Sequence, residues 1–129
     1  MRIQYNKVMK VKKLKNCVQF IGGDDSILRE ILNPKKEKLK VRYSLAHAKV
    51  KPGKRTLKHR LKYTEVYFIL KGSGIMHINE EEMRVNKYDT ILIPPNSIQY
   101  IENKGRKNLE FLCIVDPAWE PRCEEILES

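Results

Sequence analysis

Cysteine is scarce in this 129-residue chain: Cys17, Cys113 and Cys123 are its three thiols. The number is odd, the spacings are wide and no CxxC pattern occurs, which excludes a disulfide framework or thiolate zinc site as the organising device. Reduced thiols in a cytoplasmic protein are expected instead. Long apolar runs are also missing, since none approaches the roughly 20 residues of a membrane span. The first seven residues lack the apolar stretch of a secretory signal, and no membrane partner is expected. Nor is there a phosphate loop, a Rossmann glycine pattern or a Ser/His/Asp set, so phosphoryl transfer and nucleophilic catalysis have no residues to carry them.

Acidic residues are nearly absent from one stretch. Between Lys35 and Lys62 twelve Lys and Arg stand against the single acid Glu37, whereas Glu110 to Ser129 holds six acids and only Arg122 as a base. The whole chain carries 26 basic and 16 acidic residues, a net charge of +10. Such asymmetry suits either a face for an anionic partner or a solvated lysine-rich surface. The cations alternate with apolar residues, and no helix-turn-helix, zinc-finger or RNP-type pattern accompanies them, so no specific nucleic acid is expected. A hydrophobic fraction of 41% fits one folded domain spanning residues 1–129.

What is present is β-patterning. Ser26 to Asn33 reads as a short N-terminal helix, capped by Asp25 or Ser26 and stopped by Pro34. From Leu39 the period becomes two: Leu39, Val41, Tyr43, Ala46, Ala48 and Val50 alternate with charged neighbours up to Pro52-Gly53. Short strands follow over 56–61, 66–70, 75–78, 83–85, 90–93, 98–102 and 109–115, divided by glycine, proline and asparagine turns. This predicts an all-β sandwich or small jelly-roll barrel over about 39–115, with residues 1–38 before it and a polar tail, 116–129, able to form a terminal helix.

Within that run Gly53, His59, Glu65 and Gly72 fall at a spacing that resembles the first signature of the cupin family, with Leu61 in place of its second histidine. After fifteen intervening residues Tyr88, Pro94, Asn96, Gln99 and Asn103 resemble the second signature. Pro94 and Asn103 are retained there, Tyr88 and Asn96 replace glycines, and Gln99 replaces the histidine. The resemblance covers most of the chain. It implies a double-stranded β-helix, the cupin jelly-roll barrel, and a homodimer, since open sheet edges invite pairing.

The resemblance also implies a metal site. Cupin ligands converge on a divalent ion such as Mn, Fe, Co, Ni or Zn, and the corresponding residues here are His59, Glu65 and Gln99. Leu61 cannot ligate, and a glutamine amide is a weaker donor than imidazole. His47 is placed on the outer face by the parity of Ala46 and Ala48. Glu65 is the candidate proton shuttle. Arg55 shares the strand parity of His59 and is a candidate anion ligand, with Tyr63 and Tyr67 as candidate pocket aromatics.

Two functional classes follow. One is an enzyme, a metal-dependent isomerase or lyase similar to the cupin domain of mannose-6-phosphate isomerases. An oxygenase fits less well, because redox iron needs firmer nitrogen ligation. The other is a metal-free module that binds or senses a small molecule without turnover. In both, the expected ligand is a small anionic or sugar-like molecule.

Overall fold

The computed structural model describes residues 8–128. Eleven strands form two antiparallel sheets: β1 (Gln19–Ile21), β2 (Ile27–Leu32), β3 (Ser44–Val50), β4 (His59–Leu61), β5 (Thr64–Lys71), β6 (Ser73–Ile78), β7 (Glu81–Asn86), β8 (Thr90–Ile93), β9 (Gln99–Glu102), β10 (Leu109–Asp116) and β11 (Glu124–Ile126). One sheet has the order β1-β2-β3-β10-β5-β8, the other β11-β4-β9-β6-β7. Together they form the double-stranded β-helix that the sequence predicted. Among the described residues no helix is long and apolar enough to cross a membrane.

The core follows from strand parity. In β5, Glu65, Tyr67 and Ile69 point inward while Val66, Phe68 and Leu70 lie outside; in β10, Phe111, Cys113 and Val115 do the same against Leu112 and Ile114. Ile69, Ile93, Ile101, Leu109 and Phe111 are almost wholly buried and meet between the sheets. Full burial of such side chains contributes about 2–3 kcal/mol each. Hence the polar side chains that share this interior need hydrogen-bond partners.

Two turns explain substitutions in the second signature. Tyr88 and Asn96 both take left-handed backbone, with φ of 75° and 65°. That is the conformation glycine adopts most readily. The chain path therefore survives without the glycines, and Tyr88 gains a stacked contact with Phe68, their ring centroids 6.2 Å apart.

The helix expected over Ser26–Asn33 does not form. Ile27–Leu32 is strand β2, and among the described residues the helical turns are two 3-10 segments, Leu14–Asn16 and Pro121–Cys123. Ile27, Leu28, Ile31 and Leu32 have helical spacing, but β1 and β3 pair on both sides of this segment and leave all six residues half-buried. Two flanking ladders outweigh a weak local propensity. What looked like a cap is a hairpin turn: Gly22 N–H donates to the Ser26 carbonyl, and Asp24 Oδ1 accepts from Ser26 N and Oγ. The tail is not helical either. After its 3-10 turn it adds β11 to β4, with Glu124 opposite Leu61.

Candidate functional site

The two sheets enclose a cavity of about 280 Å³. Ala46, Ala48, Phe111, Cys113 and Val115 supply apolar walls, and Asp24, His59, Glu65, Tyr67 and Glu124 supply the polar ones. The small side chains of Ala46 and Ala48 on β3 leave the space, since every larger inward residue of the neighbouring strands would fill it.

Three side chains form a buried relay. Tyr67 Oη donates to Gln99 Oε1 at 3.0 Å, and Gln99 Nε2 donates to Glu65 Oε1 at 2.8 Å. Burial is the main force on Glu65 and pushes its carboxyl up to about 8, against the Gln99 hydrogen bond and with help from the carboxylates of Asp24 and Glu124. At neutral pH this carboxyl is largely protonated, so it offers a hydroxyl donor inside the barrel. Burial, with the nearby Glu65, likewise holds the Tyr67 phenol well above its ordinary range.

His59 is fixed from its other side. Its Nδ1–H donates to the Leu57 carbonyl at 2.6 Å, which leaves Nε2 facing Asp24 Oδ2 at 3.6 Å, beyond hydrogen-bond length. The Leu57 N–H in turn donates to the Asp24 carbonyl at 2.7 Å. These bonds stitch the β1–β2 turn to the segment entering β4 and place a carboxylate beside the histidine.

His59, Gln99 and Glu65, the residues the resemblance implies as metal ligands, are neighbours: His59 on β4 lies opposite Gln99 on β9, and Gln99 bonds Glu65. Glu65 Oε1 and Gln99 Oε1 are each engaged within the relay, Leu61 packs with Val115 and Cys123, and His59 faces Asp24. Among the described residues no group of three or more His, Cys, Asp or Glu side chains is arranged to hold a metal ion. The donor set present does not fit a tightly held transition metal, which needs three or four such ligands at short range.

A family model described as Cupin domain matches residues 46–115. The chain belongs to the cupin family. A relative 44% identical over 111 residues, covering 84% of this chain and 87% of its own length, is an uncharacterized protein of Methanocaldococcus jannaschii. An oxalate-binding protein of Thermotoga maritima is 33% identical over 51 residues, covering 40% of this chain and 42% of its own length. Among solved structures, oxalate decarboxylase of Bacillus subtilis superposes with a TM-score of 0.80 at 17% identity, covering 95% of this cupin but 33% of that chain.

The remaining residues singled out by sequence lie in three places. Tyr67 lines the cavity, while Tyr63 hydrogen-bonds Glu120 on the far side of Leu61. Arg55 is outside the barrel, 40% exposed at its side chain, with its guanidinium on Glu128 at 2.7 and 3.0 Å. Arg55 does not share the inward face of His59, since it precedes β4 and joins the sheet through an isolated bridge to Glu102. His47 is on the outer face as expected, its Nε2 3.0 Å from Glu110, and burial lowers its affinity for a proton against the pull of that carboxylate.

Three cavity acids are not marked by the sequence: Asp24 precedes the expected helix, Glu30 lies within it, and Glu124 is one of five acids in the polar tail. Glu124 carries no local signal, since Cys123-Glu-Glu-Ile126 does not alternate as a strand does and nothing local ties it to Leu61. Burial raises the Glu124 carboxyl above its ordinary range, reinforced by Asp24 and opposed by His59 and by the Trp119 hydrogen bond.

Proposed function

We propose that this cupin holds a small molecule in the cavity between its sheets and does so through hydrogen bonds rather than a tightly bound metal. The Tyr67–Gln99–Glu65 relay carries the reading. It engages the Glu65 and Gln99 oxygens that family positions would offer to a metal, and it leaves a largely protonated carboxyl in a cavity that has both apolar and polar walls. A pocket of this size with a few convergent polar groups is the usual form of a small-ligand site.

The oxalate-binding relative supports small-molecule binding in this fold, over the part of the chain it matches. Isomerase-like chemistry would need a Lewis acid beside Glu65, and the donor arrangement does not favour one. Glu65 is therefore assigned to ligand binding rather than to proton shuttling. The cytoplasmic location and the homodimer expected from the open sheet edges remain part of this reading, and sedimentation equilibrium measures the second.

Thermal denaturation with a panel of sugars, sugar phosphates, dicarboxylates and amines tests the proposal, in buffer with and without EDTA. At least one compound should raise the melting temperature with EDTA present. Ala48→Phe, which fills the cavity, should abolish that rise, with the milder Ala46→Leu as a second variant should the first not fold. A panel without effect, or an effect untouched by cavity filling, overturns the reading.

A further inference from the structure

The cavity is lined by acidic residues although the chain as a whole is basic. The chain carries a net +10, yet four carboxyl groups line the cavity: Asp24, Glu30, Glu65 and Glu124. Among the described residues the one lysine or arginine lining it is Lys36, at the mouth.

The mouth already holds an ammonium group. Lys36 Nζ is 2.9 Å from Glu30 Oε1 and lies over two rings, 5.9 Å from the Phe20 centroid and 5.6 Å from that of Trp119. Cation–π attraction and a carboxylate together make a cage for a cation. The cage is built rather than incidental. Buried Asn33 donates through Nδ2 both to Glu30 Oε2 at 2.9 Å and to the Trp119 carbonyl at 3.0 Å, fixing acid and ring relative to each other.

Deeper in, Asp24 and His59 face each other. Asp24 is 8% exposed, and both hydrogen bonds to its carboxylate fall on Oδ1, leaving Oδ2 turned to the cavity and to His59. His59 is 2% exposed, with Nδ1–H donated to Leu57 and Nε2 3.6 Å from Asp24 Oδ2, beyond hydrogen-bond length. Asp24 Oδ2 is thus an acceptor that a ligand group with several N–H donors can engage. Glu124 lines the same cavity.

Resting on the small-molecule reading above, we infer that the ligand is an organic cation, a primary amine or diamine. One ammonium lies against Asp24, His59 Nε2 and Glu124, and the carbon chain follows the apolar wall towards the Phe20–Trp119 mouth, where it displaces Lys36. An organic cation fits better than a metal ion because the carboxyls are spread around aromatic and apolar walls and do not converge on one coordination sphere. An oxalate-like dianion would meet four carboxyl groups, with Lys36 as the one lysine or arginine among the described lining residues.

Isosteres of equal length isolate the charge: 1,4-diaminobutane, 1,4-butanediol and succinate, with oxalate added, each titrated calorimetrically in EDTA. The diamine should bind and the other three should not. Asp24→Asn, which keeps the Oδ1 contact to Ser26, and Glu124→Gln should each weaken the diamine by about tenfold or more. Lys36→Met should tighten it, because the resident ammonium no longer competes. Binding of butanediol, succinate or oxalate in place of the diamine overturns the amine inference and leaves the small-molecule reading standing. A silent diamine, or one weakened by Lys36→Met and indifferent to Asp24→Asn and Glu124→Gln, also overturns it. The small-molecule reading falls with it only if the whole panel is silent.

Discussion

Gln99 donates its side-chain amide to Glu65, Nε2 to Oε1 at 2.8 Å, from the position where the cupin signature carries a histidine. The substitution is matched at both ends, since Tyr67 Oη satisfies the Gln99 oxygen. Because all three side chains are buried, the relay pairs their polar groups with one another.

Gln99→Leu should therefore be costly. It strands the Tyr67 hydroxyl and the Glu65 carboxyl together, and each orphaned group costs about 1–3 kcal/mol. Urea denaturation at pH 7 should show a loss of about 2–5 kcal/mol. Gln99→Leu combined with Glu65→Leu and Tyr67→Phe should recover part of it, because no polar group is then left unpaired.

Glu65 sets a pH dependence whose sign is fixed by its folded-state pKa of about 8. The folded protein holds a proton there that the unfolded chain, with a carboxyl near 4.5, has released. Stability is thus lost as pH rises from the unfolded value through about 8. Neutral His47, whose folded form resists protonation, works the other way only below its unfolded value of 6.5. Between pH 6.5 and 8 the midpoint of urea denaturation should fall, by about 1–2 kcal/mol in stability. Glu65→Gln should flatten that slope, and an unchanged slope would contradict the assignment.

Restoring the family histidine should not restore a metal site. Leu61→His inserts a polar ring into the apolar cluster of Val115 and Cys123, with Glu124 as its cross-strand neighbour. The variant should lose about 2–4 kcal/mol. Added Mn, Co, Ni or Zn should not raise its melting temperature, because Glu65 and Gln99 remain bonded to each other. A metal-dependent rise would show that the relay yields to an ion.

Arg55 is a surface residue, so Arg55→Ala should leave small-molecule binding unchanged. Its guanidinium holds Glu128, whose carboxyl it draws down to about 2. The expected calorimetric result is an unaltered affinity for any ligand that Ala48→Phe excludes. A loss on Arg55→Ala would bring the residue back into the site.

How much was legible in the sequence depends on how local each determinant is. The period-two patterns from Ala46 to Val115 and the turns between them specified the strands of the barrel, and the spacing of His59, Glu65 and Gln99 marked the inward residues. Ile27–Leu32 misled because its apolar spacing fits a helix as well as a strand, and only pairing with β1 and β3 decides between them.

The sequence by itself determined an all-β cupin, its inward parity and the loss of two histidines from the family pattern, since these depend on residue type and short-range spacing. Tertiary structure alone decided what fills their place. Asp24 reaches His59 through a hairpin 35 positions earlier in the chain, and Glu124 reaches the cavity through a strand added opposite Leu61. The same long-range closure turned a chain rich in lysine into one with an acidic interior, because charge totals add along a chain whereas burial selects by face.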